Sequence, residues 1–72
     1  MTDTVALRSV IAHSGLKYKA LAEIMGLSAY ALQMKIDNET EFKASEIDAL
    51  ANALGMSSQQ RDSIFFYRKS GI

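Results

Sequence analysis

Apolar residues recur along this chain at helical spacing, in five short stretches separated by Gly, Ser or polar loops. The first, about residues 3–13, sets Ala6, Leu7, Val10 and Ile11 on one face and runs out at "HSG", where Gly15 can close the helix. The second, about 17–25, turns Leu21, Ile24 and Met25 inward and stops at Gly26. The third opens on Ser28, a favourable N-cap residue, with Leu27 and Leu32 spaced as a hydrophobic staple around it. It runs to about Ile36 and gives way to the polar loop "DNETEFK". The fourth begins near Ala44 or Ser45, aligns Ile47, Leu50, Ala51 and Leu54, and ends at Gly55. The fifth follows "MSSQQ", where Ser57 and Gln60 have capping-box spacing, and should bury Ile64 with one of Phe65 or Phe66. There is no proline, and no long alternation of apolar and polar positions predicts a strand. The expected fold class is all-α, a compact five-helix domain spanning residues 1–72. The closing residues, about 68–72, are expected to fray or to take part in association.

The stretch "KALAEIMGLSAYALQMKI", residues 19–36, brings two helices of a few turns together at a glycine. That spacing predicts a helix-turn-helix over about 17–36, a unit that holds its second helix at a steep, fixed angle to the first. Ala22 falls where the two helices approach most closely, and Leu32 buries the second against the first. With Leu32 and Ile36 inward, the second helix presents Ala29, Tyr30, Gln33 and, towards its end, Lys35. These side chains suit base edges in a DNA major groove. Gln pairs bidentately with adenine, Lys reaches guanine, and Ala meets a thymine methyl. Tyr can stack or donate its hydroxyl to a phosphate. Around them, Lys17, Tyr18 and Lys19 open the preceding helix and Ser28 offers a helix N-terminus, all suited to phosphates. Lys43, beyond the loop, extends the same track.

Charge changes the picture only through its distribution. Lys and Arg number eight and Asp and Glu eight, a balance unlike the basic excess usual in nucleic-acid binders. Yet from Arg8 to Lys35 the chain carries four basic residues against Glu23, and from Asp37 to Asp62 six acidic ones against Lys43 and Arg61. One half is basic and the other acidic, so one face can be positive on a neutral molecule.

Other chemistries find little support. There is no cysteine, and a lone His13 cannot build a zinc site; the dipole at a helix C-terminus accounts for it. The acidic set from Asp37 to Asp48 lacks the ligand spacing and central Gly of a calcium loop, so no metal or cofactor is expected. No nucleophile sits with a base and an orienting partner, and no glycine-rich phosphate loop occurs, so no enzyme is expected. No run approaches the roughly 18 apolar residues of a membrane span, and the N-terminus lacks a signal pattern, which points to a soluble cytoplasmic protein. Phe65, Phe66 and Tyr67 cannot all face inward from one helix, which makes them the expected dimer interface.

The segments "LKYKALAEIMGLSAYALQMKI" and "EFKASEIDALANALGMS", with the closing "IFF", resemble the lambda-repressor-like, Cro-type (XRE-type) helix-turn-helix family, in particular its small phage-associated members. The resemblance runs from about Leu7 to Phe66. It implies a transcriptional regulator, a repressor by expectation, that binds double-stranded operator DNA as a homodimer. In that family the second helix of the turn reads the major groove and the first crosses the backbone. Two positions depart from the family pattern. Tyr18 stands where Gln is common, and Lys35 stands where an apolar residue is usual, so Ile36 or Met34 must take over its packing. The alternative is a protein-interaction module, or an antitoxin-type partner, on the same fold, for which neutral net charge is the support.

Overall fold

The computed structural model describes residues 1–66, which form five helices and, among the described residues, no strand. They are α1 (Thr4–Ser14), α2 (Tyr18–Met25), α3 (Ala29–Ile36), α4 (Ala44–Leu54) and α5 (Ser58–Phe65). Among the described residues the architecture is the all-α, five-helix arrangement expected from the apolar periodicity. None of these helices is long and apolar enough to cross a membrane.

Local chemistry accounts for the boundaries. Asp3, Ser28 and Ser57 each cap a helix by accepting the amide of the residue three positions on, at 3.0–3.1 Å. α4 starts differently: the Glu46 carboxylate reaches back to accept the Lys43 amide at 2.8 Å. α2 and α4 end alike, with Gly26 and Gly55 left-handed (φ 70° and 67°) and the next amide returning to the carbonyl five residues back. α3 ends with the same pair of bonds, Asn38 N–H to Lys35 O and Glu39 N–H to Met34 O, but its left-handed residue is Asn38 (φ 63°).

The core gathers two or three side chains from every helix. Leu7, Leu21, Leu32, Ile36 and Leu50 are the largest fully buried ones. Each contributes about 1.5–3 kcal/mol relative to exposure. α2 packs chiefly on α3 and α4, and α1 bridges α3, α4 and α5. Ala22, 2% exposed, lies in the core beside these helices, as its small side chain suggested. Phe42, from the loop after α3, meets Phe65 edge to face with ring centroids 5.2 Å apart.

Two sequence expectations need correction here. Ile24 does not face inward; it is 57% exposed. The buried face of α2 is centred between Leu21 and Ala22, with Tyr18 and Met25 completing it, and Ile24 falls on its flank. Phe65 is not available as an interface residue, being 4% exposed and packed on Phe42. Phe66 takes the outward position at 60% exposure, while Tyr67 and the tail lie outside the described residues.

Candidate nucleic-acid interface

α2 and α3 are joined by residues 26–28, and the turn works through three local features. Gly26 takes the left-handed conformation, Leu27 packs against the core, and Ser28 caps α3. Leu32 and Ile36, one turn apart, are 0% and 1% exposed and pin the inner side of α3. Of the two replacements for a missing apolar residue, Ile36 takes the packing position and Met34 is only half-buried.

What α3 leaves outside follows from that anchoring. Ala29 and Gln33 are exposed, and Tyr30 is 73% exposed, too open to be a core residue. The first turn of α3 points its free amides outward beside Ser28, whose hydroxyl is taken up in accepting the Ala31 amide. Lys17 is the N-cap of α2 and provides no side-chain cap, which leaves that helix start open to an anion as well. Lys19 and Lys43 are exposed. Tyr18 is half-buried with its ring against the core, so its hydroxyl is the part that can reach a phosphate.

Lys35 departs from the expected set. Its ammonium lies 3.0 Å from Glu46 Oε1, and it donates to the Glu41 carbonyl at 2.8 Å. Both side chains of that pair are only about one-tenth exposed (12% and 11%). A lysine so engaged is not a reader of bases; it fastens the end of α3 to the start of α4. Burial on its own would raise the Glu46 carboxyl, but the Lys43 amide and the Lys35 ammonium outweigh it and hold the group below its ordinary value.

The charge asymmetry of the sequence is partly neutralised by folding. Arg8 pairs with Asp37, Lys35 with Glu46, and Arg61 with Asp48 and Asp62. Among the described residues, Lys17, Lys19 and Lys43 have no ion-pair partner, so they carry the uncompensated positive charge. These are the three lysines that the sequence assigned to phosphates. Sequence reasoning missed Asn38; an Asn just past the last apolar position of a helix is a known stop signal, and "DNETEFK" contains it.

Among the described residues no cluster of three or more His, Asp or Glu gathers as a metal site. No curated protein matches the chain closely enough to add to this picture. A family model for the Cro/C1-type HTH DNA-binding domain matches residues 6–60, which takes in all of α2 and α3 and the whole of the turn between them. With that match spanning most of its length, the chain belongs to the Cro/C1-type helix-turn-helix DNA-binding domain family.

Proposed function

We propose that this chain is a sequence-specific transcriptional repressor that lays α3 in the major groove of its operator. The observation that carries the reading is the division of α3 itself. Leu32 and Ile36 are locked in the core while Ala29, Tyr30 and Gln33 stand outside, with no ion pair or core contact to occupy them. Gln33 is the principal base reader, by bidentate pairing to adenine, and Ala29 and Tyr30 add apolar and stacking contact. Lys17, Lys19, Lys43, the Tyr18 hydroxyl and the helix start at Ser28 hold the phosphates on either side.

The repressor acts as a homodimer. Phe66 and Met1, 60% and 74% exposed, border an open depression of about 330 Å³ whose walls include Phe42 and Ile47. An exposed aromatic beside a depression of mixed polar and apolar lining suits a self-complementary contact across a two-fold axis. Occupying the operator would then exclude polymerase.

The test is selection from a random duplex library of about 30 base pairs at low and moderate salt, with half-sites expected about one helical turn apart. A neutral net charge favours a second reading, a protein-interaction or antitoxin-type module. That reading gains if no duplex is enriched even at low salt, because a phosphate-contacting protein binds best there.

A further inference from the structure

The residues ahead of α1 are stitched to α3 and α5 at once. Thr2 N–H donates to Asn38 Oδ1 at 2.9 Å, and Asn38 Nδ2 donates back to the Thr2 carbonyl at 2.8 Å. The same amide nitrogen reaches Thr4 Oγ1 at 3.3 Å, and the Thr4 hydroxyl donates to the carbonyl of Ile36, the last residue of α3, at 2.7 Å. Asp3 N–H donates to the Ile64 carbonyl in α5 at 2.7 Å. Among the described residues Thr2 is the buried polar one, 8% exposed.

Asn38 stands where α2 and α4 have glycine. All three helix ends make the same two backbone bonds around a left-handed residue. Glycine would therefore serve the backbone of α3 equally well, and with less strain. What Asn38 adds is its carboxamide, and both ends of that group are used on the N-terminal segment. We infer that Asn38 is a positioning residue for DNA recognition: by clasping residues 1–4 across the end of α3, it sets the orientation in which α3 presents Tyr30 and Gln33. This rests on the reading of α3 as the element that enters the groove.

The physical need is clear from the length of α3. Its eight residues carry two core anchors, Leu32 and Ile36, which lie on one line along the helix and resist rotation about that line poorly. The clasp and the Lys35–Glu46 pair hold the helix end from outside that line. Base readers work only when held within about 0.5 Å and 10–20° of their productive geometry.

The experiment compares the full chain with Asn38→Gly and Asn38→Asp. Gly keeps the left-handed backbone and deletes the clasp, whereas Asp keeps the acceptor for Thr2 and loses the donor. The probes are the duplex that the wild-type chain enriches from a random library and an unrelated duplex of equal length. Asn38→Gly should speed amide exchange at Lys35, Ile36 and Asp37 by about tenfold while Leu50 and Ala51 are unchanged. Its affinity for the enriched duplex should fall about tenfold with little change on the unrelated one, and Asn38→Asp should fall between it and wild type. Exchange that quickens equally everywhere, or not at all, would mean that Asn38 merely closes a helix. Wild-type binding matched by Asn38→Gly overturns the positioning role alone. Failure of the wild-type chain to enrich any duplex overturns the DNA reading and this role together.

Discussion

The Lys35 ammonium and the Glu46 carboxylate meet at 3.0 Å and tie the last turn of α3 to the first turn of α4. The pair sits where the sequence suggested a base-reading lysine, and its almost buried position gives it a structural purpose instead. Lys35→Met keeps the aliphatic stem but leaves Glu46 short of a partner. It is expected to cost about 1–3 kcal/mol by denaturant unfolding and to leave base preference on duplex DNA unchanged.

The same pair predicts a pH response. The Glu46 carboxyl, pushed up by burial but drawn down further by the Lys43 amide and Lys35, titrates below its unfolded value. Its stabilisation is therefore complete above the unfolded value and is lost as pH falls through the folded one. Glu46→Gln should flatten that part of the acid limb of the stability curve. Denaturant midpoints taken from neutral pH downwards check this, and an acid limb identical to wild type would remove Glu46 as its source.

Gln33 is exposed and plays no part in the core, so Gln33→Ala should leave the fold intact. Binding to the preferred duplex should weaken by about 1–3 kcal/mol, with preference relaxed at one base pair. Equal weakening on every sequence would show that this side chain does not read bases.

Lys17 has no ion-pair partner among the described residues and stands at the open start of α2. Lys17→Ala should weaken binding to all duplexes alike and reduce the slope of log affinity against log salt by about one. An unchanged slope takes Lys17 off the phosphate track.

Phe66 is exposed while its neighbour Phe65 is core, so the two separate association from folding. Under the proposed homodimer, Phe66→Ser should preserve the helical signal and shift sedimentation from dimer to monomer. Phe65→Ala should unfold the domain to a measurable degree, at about 3–5 kcal/mol.

What could be read in the chain was whatever is decided within a few residues. Gly26, Ser28 and Leu32 stand out because a left-handed turn, a cap and a staple are each local. Lys35 and Asn38 were opaque because their partners, Glu46 and Thr2, lie 11 and 36 residues away. Ile24 was misplaced because an eight-residue helix with apolar residues on adjoining faces does not say which face is deeper. Consecutive residues on a helix point about 100° apart, so one of Phe65 and Phe66 had to be outside, but only packing against Phe42 decides which.

None of the five helices exceeds 11 residues, and three of them have eight. Segments shorter than about 12–15 residues are marginal as isolated helices in water, so α3 has no shape of its own to offer. The proposed reading surface exists only while the whole chain is folded, and operator binding would then act on the folding equilibrium itself. Free operator at about 100 times its dissociation constant would add roughly 2.7 kcal/mol against unfolding. Bound copies would be shielded from proteases that attack the unfolded chain, and copies without DNA would be the first to be destroyed.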